Sequence, residues 1–271
     1  MKKQMWLYLI LLSVALIGMA LLRVYNKREI EPRDLDQIRK EGVVRIALDY
    51  NSVEFHVQAD SLVGFQYELA QRFAKELDLQ VEVHPVSSLS DMMSGLESGE
   101  YDIIARMMPI TLDLKELYGV SSPIFTSKQL LVQRKAEFNN DSLPIRNQLY
   151  LAGKTLHLPA NSPVRRRLHN LMQEIGDTIY VVEDPLYQDE QLLQLVALGE
   201  IEFAVCDALV AQKLQAYYPQ IDISTDIGFS QLNAWVLRRD SPVLLDTVNS
   251  FVERAIQDKY IDKLVKRYFK P

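Results

Sequence analysis

Two extended, β-prone runs stand far apart in the chain, Lys128-Gln-Leu-Leu-Val-Gln-Arg134 and Gln231-Leu-Asn-Ala-Trp-Val-Leu-Arg238. Each lies between stretches that read as complete strand and helix modules. A chain that passes into a second module and later returns to the first builds two lobes joined by a double hinge, with a cleft between them. Clefts between lobes are where small ligands are buried, so this pattern points to binding before it points to catalysis.

The modules share one grammar. Val43–Leu48 reads as a strand, and Gly64–Leu77 as a helix with Phe65, Leu69, Phe73 and Leu77 on one stripe. Leu79–Val83 follows as a strand. Ser90 is expected to cap a helix through Met93 and Leu96 that ends at Gly99, and Tyr101–Ala105 completes β-α-β-α-β and a mainly parallel sheet. Lys154–Leu158, 163–174, Thr178–Val182, Asp189–Leu198 and Glu202–Cys206 repeat that order. A helix from Asp207 stopped by Pro219, and a short edge strand at Asp222–Thr225, follow. After the return run, helices are expected from Ser241-Pro242 to Gln257 and over Lys259–Phe269. The expected division is residues 1–28 as a membrane segment and 29–42 as a spacer with a short helix. Residues 43–133 plus 231–271 form the first lobe and 134–230 the second.

The start of the chain has its own character. Lys2-Lys3 precedes an apolar run from Met5 to Leu22 in which Ser13 is the only small polar side chain. At roughly 18 residues and about 1.5 Å of rise each, the run is long enough to span a bilayer. Gly18-Met19-Ala20 also offers small residues for signal cleavage, so an uncleaved anchor, the favoured expectation, stands beside a processed signal. No cysteine follows the run, which excludes a lipoprotein anchor.

Composition narrows the partners. The 271 residues carry 30 basic and 36 acidic side chains, a net charge of −6, without the basic stripe that a polyanion needs; no nucleic-acid partner is expected. Cys206, the one cysteine, reads as a small buried hydrophobe. The four histidines show no metal-ligand spacing, and no Gly-rich phosphate loop occurs, so neither a metal nor a cofactor is expected.

Several segments together resemble the type 2 periplasmic solute-binding proteins of the polar amino-acid class. They are Gly64-Phe-Gln-Tyr-Glu-Leu-Ala70, Gly99–Ala105, Pro109-Ile-Thr111 followed by Ser122-Pro123, Gly199–Asp207, and Tyr260–Leu264. The opening Leu35–Arg45 behind a membrane segment is most similar to the solute-binding half of the membrane-bound lytic transglycosylases F. The resemblance implies an α/β, two-lobed type 2 binding fold with a double hinge behind an N-terminal membrane helix. It would be held at the bacterial inner membrane and face the periplasm, or be free in the periplasm if processed.

The lysozyme-like domain that supplies the catalytic glutamate of those transglycosylases is not recognisable before Pro271, so a binding module rather than an enzyme is expected. Its ligand would be small and polar, amino-acid-like or derived from peptidoglycan peptides, for sensing, regulation or transport. A transporter permease or a cell-wall enzyme would be its partner. The alternative is a component of a transglycosylase-related cell-wall enzyme or a partner-docking regulator.

The resemblance also implies site positions. The family's carboxylate-binding Arg falls three residues after Thr111, where this chain has Leu114, so Lys115 or Arg106 would have to serve instead. Ser162, before Pro163, stands at the family's second-lobe anion loop, where a helix N-terminus presents free N–H groups. Asp207, at a strand end, matches the ammonium-binding carboxylate, though it also reads as a plain helix cap. Tyr50 and Phe55 fall where aromatic side chains wall the ligand, with core packing as the other reading.

Overall fold

The computed structural model describes residues 33–269, together with Trp6 and Gly18. Apart from those two positions, the expected membrane segment lies outside the described residues. Among the described residues no helix is long and apolar enough to cross a membrane.

The described chain enters through a buried ionic joint. Arg33 Nε donates to Asp102 Oδ1 at 2.8 Å, and Arg33 Nη2 donates to the Val43 carbonyl at 2.9 Å. The Arg33 carbonyl in turn accepts from Arg238 Nη2 at 2.8 Å and from Ser241 Oγ at 3.2 Å. Helix α1, Leu35–Glu41, is capped by Asp34, whose carboxylate accepts the Leu35 N–H. It ends at Gly42, which takes the left-handed conformation (φ 72°) that favours glycine.

The first sheet is built from β1 (Val43–Leu48), β4 (Gln80–Pro85), β5 (Ile103–Ala105), β6 (Gly119–Val120) and β14 (Val236–Leu237), in the order β4-β1-β5-β14-β6. β1 runs parallel to β4 and β5, while the returning β14 runs antiparallel to its neighbours. The helices α2 (Phe65–Glu76), α3 (Leu89–Ser98), α4 (Leu112–Leu117), α8 (Pro242–Gln257) and α9 (Tyr260–Tyr268) accompany it. Its core includes edge-on aromatic pairs of Phe73 with Trp235 (centroids 5.9 Å) and Phe251 (5.3 Å), and the indole N–H of Trp235 donates to Gln66 Oε1 at 2.8 Å.

The second sheet has the order β10-β9-β11-β8-β12, from β8 (Gln129–Arg134), β9 (Thr155–Pro159), β10 (Tyr180–Asp184), β11 (Phe203–Asp207) and β12 (Ile221–Asp226). Helices α5 (Val164–Ile175), α6 (Asp189–Leu198) and α7 (Ala208–Gln215) pack around it. The α/β, two-lobed periplasmic-binding-protein architecture expected from the sequence is the one the chain forms.

Several details differ from the reading of the sequence. The run 129–133, assigned there to the first lobe, pairs antiparallel with β11 and β12 in the second sheet as part of β8. The segments that join the lobes lie just outside it: β7 (Phe125–Ser127) pairs antiparallel with β13 (Gln231–Asn233) as a separate two-stranded ribbon. A short β-prone run marks a strand but not which sheet will recruit it. Ser88, not Ser90, caps α3, its Oγ accepting the Asp91 N–H at 3.4 Å.

The hairpin of β2 (His56–Gln58) and β3 (Ser61–Val63) carries no sequence signal. Its turn places Ala59 and Asp60 at positive φ, where Asn-Gly or Asp-Gly would have announced it. Behind that hairpin, Gly64 (φ 143°) lies so close to the chain at Glu54 that an added Cβ would sit 2.1 Å from the Glu54 carbonyl oxygen. Only glycine allows this approach, and it sets the height of the loop that carries Glu54.

Candidate functional site

Four strands that run towards the gap between the sheets deliver their C-terminal ends to it. Asp49 follows β1, Arg106 follows β5, Pro159 ends β9 and Asp207 ends β11. The open ends of parallel strands leave side chains and helix N-termini facing a common space, where α/β proteins place ligand groups. Here the space is a cavity of ≈ 310 Å³ lined from both lobes. That volume falls at the small end of ligand pockets, which run to about 300–1,000 Å³.

On the first-lobe wall, the Arg106 guanidinium lies 3.2 Å from Asp49 Oδ2 and also donates to the Ser87 carbonyl at 3.4 Å. Glu54 is 1% exposed. Its Oε1 accepts the Met107 N–H at 3.0 Å, and its Oε2 has no hydrogen-bond partner in the protein. Burial, reinforced by the nearby Asp49 charge, raises the Glu54 carboxyl well above the ordinary range, and burial also raises Asp49 against the pull of Arg106.

On the second-lobe wall, Asp207 Oδ1 accepts from Ser127 Oγ and from the Leu209 N–H, both at 2.8 Å, capping α7. Its own N–H donates to Asp189 Oδ2 at 3.2 Å. Burial pushes Asp189 up to about 7 and Asp207 up to about 6, in each case against hydrogen bonds that favour the charged form. Cys206 is buried beside them, its Sγ 3.3 Å from the Asp189 carbonyl, and burial raises its thiol.

Two contacts bridge the walls. Glu190, at the start of α6, accepts the Ser52 N–H at 2.9 Å and the Ser52 hydroxyl. Arg166 Nη1 meets Asp113 Oδ2 at 3.1 Å on the surface.

Of the site residues expected from the sequence, Tyr50, Arg106, Ser162 and Asp207 line this cavity together. Ser162 Oγ accepts the Val164 N–H at 3.4 Å, so it holds the first turn of α5. Asp207 is both a cap and a wall residue, which joins the two readings that the sequence left open. Phe55 is not on the wall: it is 4% exposed and packs on Tyr50 and Tyr67, with centroids 6.0 and 5.5 Å away. Thr111 and Lys115 are also absent from it. Thr111 caps α4 through the Leu114 N–H (3.2 Å) and borders a separate apolar hollow of ≈ 220 Å³, and Lys115 is exposed on that helix. A turn of α4 therefore carries the Thr111 region away from the cleft, while Arg106 occupies it from the end of β5.

The sequence reading passed over Asp49, Glu54, Asp189 and Glu190. The argument applied to Asp207, a carboxylate at a strand end, would also have reached Asp49; Asp189 opens a helix that was located correctly. Glu54 has no such signal, because a contact with Gly64 and a turn at Asn51, rather than any periodicity, bring it inward. The Asn51 Oδ1 accepts the N–H groups of Val53 and Glu54 at 2.9 and 2.7 Å.

Residues 43–271 match the family model of bacterial extracellular solute-binding proteins, family 3. The membrane-bound lytic murein transglycosylase F of Photobacterium profundum is 27% identical over 260 residues, which is 96% of this chain and 50% of the relative. The chain thus spans about half the length of the curated relatives it matches. Among solved structures, a mutant of ArgBP from T. maritima superposes with a TM-score of 0.72 at 22% identity, over 86% of this chain and 98% of that one. The ancestral amino-acid-binding protein AncCDT-1, a precursor of cyclohexadienyl dehydratase, gives 0.71 at 25% identity, over 87% and 99%.

Proposed function

The chain belongs to family 3 of the bacterial extracellular solute-binding proteins, and from that premise we propose that it is a binding module whose lobes close on one small polar ligand, amino-acid-like or peptidoglycan-derived. The cavity carries this reading: charged side chains from both lobes are buried around a space of ligand size, and the lobes are joined by a two-stranded ribbon that can act as a hinge. The relatives named membrane-bound lytic murein transglycosylase F and the apolar run Met5–Leu22 support a periplasm-facing module held at the inner membrane. There, occupancy of the cleft would be read by a permease or a cell-wall enzyme.

A second reading is favoured by one observation, the match to half of the transglycosylase relatives: the module acts as the regulatory part of a cell-wall enzyme. Both readings need the same closure. The test is a thermal-shift screen of the whole chain in detergent against amino acids, amines, peptidoglycan peptides and muropeptides. A dose-dependent rise in Tm that Asp207→Asn removes supports a ligand in the cleft, because a ligand bound only by the folded state stabilises it by mass action. No rise with any compound, from protein shown to be folded, would sink the binding-module reading.

A further inference from the structure

The cavity wall is unbalanced in charge. Five carboxylates line it, those of Asp49, Glu54, Asp189, Glu190 and Asp207, and one guanidinium, that of Arg106. The guanidinium already faces Asp49 at 3.2 Å and is held on the Ser87 carbonyl. Opposite it, the second-lobe carboxylates are satisfied by backbone N–H groups and hydroxyls: Asp207 by Ser127 and Leu209, Asp189 by Asp207, and Glu190 by Ser52. On the first-lobe wall, Glu54 Oε2 is buried with no partner and no counter-charge in contact, and Asp49 Oδ1, beside the Oδ2 that faces Arg106, is likewise without a hydrogen-bond partner. A buried acceptor left without a donor is costly, and on a cavity wall the missing donor is one that an occupant can bring.

Building on the reading of the cleft as a ligand site, we propose that its ligand is an organic cation, an amine or guanidine without a free carboxylate, which donates to Glu54 Oε2 between the two acidic walls. A ligand carboxylate would meet five wall acids and a single cation that is already matched. An ammonium or guanidinium meets an unfilled acceptor and restores the charge balance.

The groups facing Glu54 are Asp49 and Arg106 on its own wall and Asp207 across the cleft, with Asp189 hydrogen-bonded to the Asp207 N–H on that far wall. Burial raises the Glu54 carboxyl well above its ordinary range and Asp189 up to about 7. An arriving cation favours the ionised forms and so displaces protons into solution. No covalent step is involved: the proton leaves the carboxyl, and the ligand N–H takes its place on the oxygen.

The experiment compares matched pairs on the full chain, agmatine with arginine and cadaverine with lysine, by titration calorimetry near pH 7 in phosphate and in Tris. The decarboxylated member of each pair is expected to bind at least about ten-fold more tightly. Its observed enthalpy should differ between the two buffers as protons are released. Glu54→Gln keeps an oxygen for the Met107 N–H and resembles the protonated acid in shape. It should leave the Tm of the unliganded protein intact, weaken agmatine about ten-fold or more, and shrink the buffer dependence.

Tighter binding of the parent amino acids, or wild-type affinity in Glu54→Gln, overturns the proposal. So does a Tm rise with a neutral or acidic solute alone, although that result keeps the binding-module reading. Silence from every compound takes down both, and the paired titrations on the unmutated chain need no variant to fold.

Discussion

On the second-lobe wall, Asp207 and Asp189 are tied into the ends of helices. Asp207 caps α7, accepts from Ser127 on the ribbon between the lobes, and donates its N–H to Asp189. On the first-lobe wall, Glu54 and Asp49 sit on loops after β1, with Arg106 as their counter-charge and one oxygen of each without a hydrogen-bond partner. The second wall is built from groups that hold secondary structure as well as charge, so it is rigid and nearly complete without a ligand. The first wall holds its charges for one another and for whatever enters. On the proposed reading of the cleft as a ligand site, the difference would give recognition mainly to the first lobe and preorganised support to the second.

The sharpest way to break that contrast is Gly64→Ala. A methyl group 2.1 Å from the Glu54 carbonyl at a φ of 143° must displace the Glu54 loop. The expected loss is on the order of 3 kcal/mol or more in a urea unfolding titration, with ligand response lost in whatever still folds. Arg106→Leu comes next: removing the counter-charge of a buried pair costs about 3 kcal/mol and drives Asp49 and Glu54 further towards their protonated forms. The loss should therefore shrink towards acid pH, which the same titration at about pH 5 and pH 8 will read.

The unliganded wild type has its own pH signature. Glu54, Asp189 and Asp207 have folded pKa values above their unfolded ones, so the native state binds more protons between the two. The stability they contribute is full below the unfolded values near pH 4, and the Asp207 and Asp189 shares are lost as pH rises through about 6 and about 7. Unfolding free energy should fall by roughly 4 kcal/mol from pH 5 to pH 8 through Asp189 and Asp207, and a bound cation should flatten that slope. A rising slope without ligand would refute the upward shift of these carboxyls.

Two smaller tests separate the roles of the second wall. Asp207→Ala removes a cap and should cost about 1–2 kcal/mol. Asp207→Asn keeps the capping oxygen and should be close to neutral in stability while still losing ligand. Equal losses in both would show that charge rather than capping holds this position. Arg166→Ala, at the exposed bridge to Asp113, should change stability by less than about 0.5 kcal/mol. It should show only as a slightly more open molecule in small-angle scattering.

The same contrast explains what the sequence made legible. Elements with a strong period and plain end signals, such as α6 at Asp189–Leu198 or α8 at Pro242–Gln257, were found within a residue or so. Asp207 could be picked out because a cap at a strand end has a local pattern. Glu54 could not, since its inward position depends on Gly64 and Asn51 acting at close range and on a hairpin whose turn residues, Ala59 and Asp60, give no warning. Thr111 and Lys115 were misplaced for the converse reason: α4, a short helix with no buried residue, lifts them out of the cleft without an apolar stripe to reveal it. Sheet membership was the other gap, as 129–134 could have ended either sheet until β11 and β12 claimed it.

The joint at Arg33 has a mechanical consequence. Its side chain grips Asp102 and Val43, and its carbonyl is gripped by Arg238, the residue that follows β14. Tension along whatever chain precedes residue 33 is thus delivered to the first sheet and to the strand returning across the hinge, and bypasses the second lobe. If that preceding chain is held at a membrane, as proposed, the first lobe would be the fixed jaw of a clamp and the second the swinging one. A surface that reports closure to a neighbour should therefore be sought on the outer face of the second lobe, which travels furthest from the mount.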